Sequence, residues 1–343
     1  MTPPNKRPPA AAPDGADPAR TRQVQELKHT SPLLGCRFDP SGHFVFAGAQ
    51  GNTVVRWHLA TGRKTLLAGH RSWVRALAFA ARGKLLFSAD YAGRVLVWPV
   101  EGDSSGPRAT IEAHKGWVRA LAVSPDGRLL ASCGNDGLVR LWSVPDGKPV
   151  RELAGHDCHV YNIAFHPKAP FLVSGDLKGV VKVWDLAKGT VQRELDAKVL
   201  HKYDPVFMAD HGGVRGMAFS ADGSLLACAG ITEVTNAFAG VGKPLVVLFD
   251  WQTGKHKQLL RPRENFQGTA WGVAFHPSGA IVGVGGGSGG ALWFWKPDAA
   301  QSFFTLKLPT NARDLDLHPD GRRLAVAFAD GALRLYDMGP RKS

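Results

Sequence analysis

The chain has 343 residues, and its 40 glycines and 23 prolines make it too rich in turns for a helical bundle. With 44% hydrophobic and 21% charged residues it encodes a globular body, so disorder along the whole length is excluded. Residues 1–31 hold five Lys and Arg against three Asp and Glu, so most of the net charge of +13 belongs to the body and favours anionic partners.

The first segment, residues 1–21, contains six prolines and five alanines and is predicted to be a disordered tail. It lacks the apolar core of a secretory signal, and no apolar run in the chain approaches the ~20 residues that a transmembrane helix needs. These features predict a cytoplasmic protein with no membrane partner. The folded domain is predicted to span residues 22–338, followed by a short C-terminal tail at 339–343.

A repeated unit organises the chain after this tail. An aromatic residue closes an alternating apolar strand seven times, at Trp57, Trp98, Trp142, Trp184, Phe249, Trp295 and Tyr336. The intervals are 41 to 46 residues, except for one of 65 residues that indicates an insertion. Turns such as residues 124–127, Ser-Pro-Asp-Gly, separate the strands of a unit, because Pro presets φ and Gly allows positive φ. Each unit therefore predicts four short antiparallel strands, the content of one propeller blade.

The third unit carries a polar and aromatic signature. Its members are His114, Ser132, Asp136 and Trp142, and parts of the same set recur nearby at His70, His156, Ser174 and Trp184. This signature resembles the repeat of the WD-repeat β-propeller family, and the resemblance covers residues 32–337. It implies an all-β, seven-bladed propeller of four-stranded antiparallel blades, in which these side chains form a hydrogen-bonded network within a blade. We expect the complete network only in the third unit.

The two ends of the chain are predicted to meet in the last blade. The last unit ends near Asp337, and the six residues that follow are too few for a fourth strand. Residues 24–28, Val-Gln-Glu-Leu-Lys, copy the fourth-strand pattern of residues 150–153, Val-Arg-Glu-Leu. We therefore expect this N-terminal strand to pair with the last blade and to remove an open sheet edge.

One column of residues is predicted to form a binding site. Near the start of the first strand of each unit stand Leu34, Arg75, Arg119, Tyr161, Arg215, Trp271 and Arg313. In the WD-repeat family this column lines the mouth of the central channel, and Trp73 and Trp117 lie two places earlier at its rim. Arginine with Tyr and Trp is typical of binding hot spots, so we expect these residues to bind an acidic or phosphorylated segment of a protein partner. The alternative is that Asp90, Asp157 and Asp314 pair with the arginines and leave a solvated charge lattice.

Two insertions are predicted on the same face as this mouth. They comprise roughly residues 196–210, before the fifth unit, and residues 231–244, between its second and third strands. Long irregular loops in a compact fold are usually functional, although drift of a tolerant surface loop is the alternative explanation.

The sequence predicts no metal site, cofactor site or catalytic serine. The four cysteines, Cys36, Cys133, Cys158 and Cys228, lack metal-ligand spacing, so we expect free thiols, no metal and no cofactor. Residues 285–290 match two glycine-rich motifs, but a strand follows where both motifs require a helix, so Ser288 is expected to be inactive.

The sequence is compatible with three functions. We expect a non-enzymatic scaffold for protein interactions, and the basic face allows nucleic-acid or other polyanion binding as an alternative. An enzyme with a site in the channel has the least support, because the mouth column contains no acid, base or nucleophile. Among the nearby carboxylates, Asp314 is the one for which we expect a perturbed pKa.

Overall fold

The computed structural model describes residues 15–80, 83–102, 106–236 and 241–340. Within these ranges it contains 30 β-strands, arranged as seven four-stranded antiparallel sheets and one two-stranded hairpin. The predicted all-β, seven-bladed propeller is therefore confirmed. No helix among the described residues has the length and apolar character to span a bilayer.

Each blade takes four strands in chain order, and the short alternating apolar segments of the sequence form them. Blades one to three comprise β2 Leu33–Phe38, β3 Phe44–Ala49, β4 Thr53–His58 and β5 Lys64–Ala68; β6 Val74–Phe79, β7 Leu85–Asp90, β8 Arg94–Pro99 and β9 Ala109–Glu112; β10 Val118–Val123, β11 Leu129–Gly134, β12 Val139–Ser143 and β13 Pro149–Leu153.

The remaining blades follow the same order, except that the last one receives its outer strand from the N-terminus. Blades four to seven comprise β14 Val160–Phe165, β15 Phe171–Asp176, β16 Val180–Asp185 and β17 Thr190–Asp196; β20 Gly216–Phe219, β21 Leu225–Asn236, β22 Val241–Asp250 and β23 His256–Leu260; β24 Gly268–Phe275, β25 Ile281–Gly287, β26 Gly290–Trp295 and β27 Phe304–Leu308; β28 Ala312–Leu317, β29 Arg323–Phe328, β30 Ala332–Asp337 and β1 Arg22–Lys28.

The core lies between the blades. The first strands of neighbouring blades contact each other all the way around the ring and so enclose a central channel. Seven clusters of buried apolar side chains fill the layers between adjacent blades. In one of them Phe87 of blade two packs with Leu130 and Trp142 of blade three. Each blade is therefore stabilised on both faces by its neighbours, and the channel wall is held rigidly.

The N-terminal strand closes the ring, as the sequence predicts. β1 pairs antiparallel with β30, and Leu27 lies opposite Leu333 in the register. The Arg334 guanidinium donates to the Glu26 carboxylate at 2.7 Å, and the His29 backbone N–H donates to the Gly331 carbonyl at 2.9 Å. Blade seven thus has four strands, although the chain from residue 312 onward supplies only three of them.

The predicted tail boundaries stay predictions. Residues 1–14 and 341–343 lie outside the described residues. Residues 18–20 form a short 3₁₀ turn, and the Asp17 backbone N–H donates to the Met338 carbonyl at 2.9 Å. This part of the predicted tail therefore contacts the C-terminal end of the domain.

Both predicted insertions form hairpins at blade five. The first contains a 3₁₀ turn at Lys198–Leu200 and the strands β18 His201–Asp204 and β19 Ala209–Gly212. The second lengthens the β21–β22 hairpin, of which residues 237–240 lie outside the described part. The Lys202 ammonium donates to the Val234 carbonyl at 2.6 Å and joins the two hairpins. Strand order places both on the face where the first strands of the blades begin.

Histidines link neighbouring blades on the opposite face. His318 Nε2 lies 3.0 Å from the Gly42 carbonyl of blade one, and His166 and His276 make equivalent bonds to Gly223 and Gly321. Gly42 has a φ of +73°, and a Cβ there would lie 2.5 Å from the His318 ring. These turns therefore require glycine both for conformation and for the close approach of the histidine.

Deleting residues 1–29 should lower the melting temperature by about 10 °C, because it removes six backbone residue pairs of β1 and the buried Leu27. Deleting residues 1–14 is the control and should change it by less than about 2 °C. Thermal unfolding followed by circular dichroism measures both, and equal melting temperatures would show that β1 does not stabilise the ring.

Candidate functional site

A β-bulge marks the start of the first strand in most blades, at the column that the sequence predicts for the channel mouth. The extra residues are Leu34, Arg75, Arg119, Tyr161, Trp271 and Arg313. Arg215 occupies the equivalent place just before β20, where its backbone N–H donates to the Ala229 carbonyl at 2.8 Å. Because a bulge re-aims the side chain of its extra residue, one side chain per blade leaves the regular alternation of the strand.

The structure brings these column residues together at one end of the channel. Leu34, Arg75, Arg119, Arg215 and Trp271 line a central cavity of about 440 Å³. The four arginines of the column, Arg75, Arg119, Arg215 and Arg313, are called the arginine ring below. They come from blades two, three, five and seven, so the ring spans the whole mouth.

Tyr161 lies between two members of the arginine ring. The guanidinium carbon of Arg119 is 4.6 Å from the centroid of the Tyr161 ring, and that of Arg215 is 4.2 Å from it. These are cation–π distances, and they fix both guanidiniums beside an aromatic surface. The tyrosine therefore orients cations from the blades on either side of its own.

Trp271 lies close to three guanidiniums on the other side of the ring. The guanidinium carbons of Arg75, Arg215 and Arg313 lie 6.0, 5.5 and 5.6 Å from its ring. Arg75 belongs to blade two and Trp271 to blade six, which are not neighbours. The Arg75 side chain therefore extends across the entrance of the channel.

An aromatic row continues outward from the ring on blades two and three. The rings of Tyr91 and Trp117 stack at 4.0 Å with an interplanar angle of 2°, and Trp73 lies 5.9 Å from Tyr91. Arg119 covers Trp117 at 4.5 Å, and its Nε donates to the Asn135 amide oxygen at 2.7 Å. Trp73 and Trp117 remain 44% and 40% exposed, which leaves apolar surface beside the cations.

Sequence reasoning missed Tyr91 and Asn135. Both follow the second strand of their blade, in the turn that lies on the same face as the start of the first strand. Their position in the sequence could have identified them, since the predicted topology already placed the turns between the second and third strands at the mouth.

The arginine ring has no counter-charge within the described residues. None of its members lies within 4.0 Å of a carboxylate oxygen there. Asp90 instead binds His70 and Arg94, and Asp314 binds Arg37 at 2.7 Å. The alternative in which Asp90, Asp157 and Asp314 pair with the mouth arginines is therefore wrong.

Burial of these cations is unfavourable in free energy, because it removes them from water. Among the described residues, the Nε atoms of Arg215 and Arg313 are buried without a hydrogen-bond partner. Burial lowers the pKa of Arg215 to about 10, and the nearby cations Arg119 and Arg75 add to the effect. Burial also lowers the pKa of Arg119 and of Arg313. At a pKa of about 10 Arg215 is still protonated at neutral pH. The mouth therefore presents concentrated positive charge whose N–H donors are incompletely satisfied.

A second polar group lies in the channel wall between blades one and seven. At the equivalent position, three residues after the mouth column, the first strands of blades two to six have alanine. Blades one and seven have Arg37 and Asp316 there. The Phe38 backbone N–H donates to the Asp316 carboxylate at 2.8 Å. Burial raises the pKa of Asp316 to about 6, and the Asp314 carboxylate contributes in the same direction. The sequence pointed to Asp314 as the carboxylate with a perturbed pKa, whereas the raised pKa belongs to Asp316, two residues further along the same strand.

The predicted hydrogen-bond network is present in three blades. In blade three His114 binds Asp136 at 2.9 Å and Ser132 at 2.7 Å, and the Trp142 indole donates to Ser132 at 2.9 Å. The same bonds join His70, Ser88, Asp90 and Trp98 in blade two, and His156, Ser174, Asp176 and Trp184 in blade four. The expectation that only the third unit is complete is therefore wrong.

The position of the aspartate explains this correction. In blade three it lies in the tight turn, four residues after the serine, whereas in blades two and four it ends the second strand, two residues after the serine. Both positions reach the Nδ1 of the histidine. Ser88, Ser132 and Ser174 are fully buried, so these His-Ser-Asp groups stabilise the blades and their hydroxyls do not meet a substrate.

Other reactive groups of the described residues are inert or isolated. Burial raises the pKa of the Cys158 thiol to about 11, and Asp176 adds to the effect, so this thiol is neutral at pH 7. In the described part of the chain, no group of three or more His, Cys, Asp and Glu side chains is placed to hold a metal ion. Ser288 lies in the turn between β25 and β26, and no helix follows it.

The sequence matches the model of a known family of repeat domains. The family model described as "WD domain, G-beta repeat" matches residues 21–58, 62–99, 105–143, 147–185, 204–231 and 302–337. These segments cover more than half of the chain and leave most of blade six unmatched. A comparison with curated proteins gave no match.

Replacing Ser132 with alanine should lower the free energy of unfolding by about 2–4 kcal/mol, because His114 and Trp142 each lose a buried hydrogen-bond partner. Ser288→Ala at an exposed turn is the control and should stay within about 0.5 kcal/mol of the wild type. Chemical denaturation measures both, and equal effects would show that the network does not stabilise blade three.

Replacing Asp316 with asparagine should raise the melting temperature at pH 8 but not at pH 4. The folded-state pKa of about 6 exceeds the ordinary value of 3.8, so the stability that this carboxyl contributes is complete below pH 3.8 and is lost as the pH rises through 6. Asparagine stays neutral and retains an acceptor for the Phe38 N–H. A variant that is less stable than the wild type at pH 8 would show that the ionised carboxylate is favourable there.

Proposed function

Because the chain belongs to the WD40 repeat family, whose propellers typically act as scaffolds for protein interactions, we propose that its arginine ring binds an acidic or phosphorylated segment of a protein partner. The observation that carries this proposal is the arrangement of four converging guanidiniums without a carboxylate partner in the described residues. Bonds from arginine to carboxylate or phosphate are charge-assisted and often bidentate, so such a segment supplies what the ring lacks.

The aromatic residues beside the ring support a peptide ligand. Trp73 and Trp117 offer partly exposed indole surfaces, while Tyr161 and Trp271 hold the guanidiniums in place. Aromatic and arginine side chains are the residue types that contribute most to protein interfaces, because they bury a large area at a small cost in side-chain entropy. The residues proposed to contact the partner are Trp73, Arg75, Trp117, Arg119, Tyr161, Arg215, Trp271 and Arg313.

The two hairpins of blade five extend this surface. They project from the same face, and the second strand of the first hairpin ends three residues before Arg215. Its tip exposes Tyr203, Val206 and Met208 by 52%, 82% and 78%. A partner held at the ring therefore meets an apolar projection at its edge, which favours a protein ligand with a surface of its own.

Nucleic acid is the second candidate ligand, because the same face is basic and carries exposed aromatic side chains. The net charge of +13 and the two exposed indoles favour it. Base stacking, however, needs open aromatic faces, and guanidiniums already lie over Tyr161, Trp271 and Trp117. An enzymatic role has less support, because the buried serines of the blade networks are shielded and the ring itself consists of cations and aromatics.

The double variant Arg75→Ala with Arg119→Ala tests the site. Two labelled peptides, hexaglutamate and a phosphoserine peptide, are titrated by fluorescence anisotropy at 50 and 300 mM NaCl. We expect the wild type to bind at least one peptide in a salt-sensitive manner, and the double variant to lose about tenfold or more in affinity.

Arg128→Ala is the matched control, since this exposed arginine lies in a turn on the opposite face. It removes a positive charge as the ring variants do and should change the affinity by less than about twofold. Equal affinities of the double variant and the wild type would overturn the site. Tighter binding of single-stranded RNA than of either peptide would favour the second candidate.

A further inference from the structure

The guanidiniums of the arginine ring are grouped around two aromatic rings and are not spread along a line. Three of them, from Arg75, Arg215 and Arg313, lie within 6.0 Å of the Trp271 centroid. Arg119 and Arg215 lie within 4.6 Å of the Tyr161 centroid. Arg215 belongs to both groups, so all four cations are connected through one short chain of contacts. The positive charge is therefore compact.

From this compactness we propose that the ring binds one phosphomonoester group, carried on a phosphorylated segment of a protein partner, in preference to a run of carboxylates. The proposal rests on the function proposed above and names the chemical class of its ligand. A phosphomonoester concentrates up to two negative charges and three acceptor oxygens on one atom. Its oxygens accept charge-assisted bonds of about 2.8 Å in several directions, so a single group serves several guanidiniums that surround it.

Acidic side chains on an extended peptide distribute their charge differently. Side chains on the same side of an extended segment repeat about every 7 Å, and each carboxylate carries one charge. Such a segment matches a stripe of cations, whereas the ring surrounds the end of a channel. Only one carboxylate at a time reaches the centre of the ring, and it supplies half of the charge that a phosphate dianion supplies.

Arg75 has the position of the residue that completes the phosphate site. Its side chain crosses the channel entrance from blade two to Trp271 on blade six. It also lies near enough to Arg119, Arg215 and Arg313 to lower the pKa of each of them, in addition to the effect of burial. Arg75 is therefore the one member of the ring whose charge acts on each of the three others.

Unused donors at the same place point to an anion. The Nε atoms of Arg215 and Arg313 are buried and have no hydrogen-bond partner among the described residues. The Arg119 Nε, by contrast, already donates to Asn135. A buried N–H donor without an acceptor is unfavourable, and an anion that bonds to these guanidiniums offsets part of this cost. Flanking residues of the bound segment then lie over Trp73 and Trp117, which are partly exposed.

The test compares four ligands of the full-length protein by fluorescence anisotropy or competition at 150 mM NaCl. Three are labelled peptides that are identical except at the centre, which holds phosphoserine, one glutamate or three consecutive glutamates. The fourth is inorganic phosphate, used as a competitor. We expect the phosphoserine peptide to bind at least tenfold more tightly than the single-glutamate peptide, and more tightly than the triple-glutamate peptide.

Ring and control variants locate the effect. Arg75→Ala should reduce the phosphoserine affinity at least tenfold, whereas Arg128→Ala on the opposite face should change it less than twofold. Circular dichroism verifies that each variant is folded. A phosphoserine peptide that binds Arg75→Ala as tightly as the wild type would place the phosphate elsewhere and overturn the proposal.

The outcomes separate this inference from the broader function. If the triple-glutamate peptide binds as tightly as the phosphoserine peptide and still depends on Arg75, the phosphate preference is wrong but the acidic-segment site stands. If neither peptide binds the wild type, both proposals fail. If inorganic phosphate competes at the concentration of the peptide itself, the ligand is a free phosphate compound and the protein partner is wrong. Tighter binding of single-stranded RNA than of the phosphoserine peptide would likewise overturn the proposal.

Discussion

The site depends on one backbone irregularity that is repeated around the ring, the β-bulge at the start of the innermost strands. A regular strand would direct its side chains alternately into the two inter-blade layers, where large apolar residues already fill the space. The bulge adds one residue whose side chain leaves this alternation, and the residue at that place is Arg75 in blade two and Arg119 in blade three. The convergence of cations at the mouth therefore follows from strand geometry and from blade symmetry together.

The bulge also explains why the cations stack on aromatic rings and do not form ion pairs. The bulge residues of the blades point towards one channel mouth, so each arginine meets the column residue of another blade. Where that residue is Tyr161 or Trp271, it provides a π-face and no negative charge. The nearby carboxylates are occupied elsewhere, Asp90 in the network of blade two and Asp314 by Arg37. The stacking orders the guanidiniums while leaving their charge uncompensated within the described residues.

The sequence predicted the fold because the aromatic period and the turn residues are local signals, and it predicted the mouth column because that column has a fixed offset within each repeat. It missed features that depend on where the chain folds in space. Asp90 and Asp176 complete the networks of their blades from the end of a strand, two residues after the serine. The sequence motif places this aspartate in the tight turn, four residues after the serine, and therefore does not identify them. Tyr91 joins the mouth from a turn. Asp316 becomes unusual only when blade seven packs against blade one and buries it.

The mouth and the closure of the ring are physically coupled. The arginine ring draws on blades two, three, five and seven, and Arg75 contacts a tryptophan on a blade that is not its neighbour. Blade seven itself depends on β1 for its outer strand. An anion held by arginines from several blades adds bonds between blades that are not neighbours, in addition to the contact of Arg75 with Trp271. Since any ligand that binds the folded state alone stabilises it, such an anion must also oppose opening of the ring at the junction that the N-terminal strand closes.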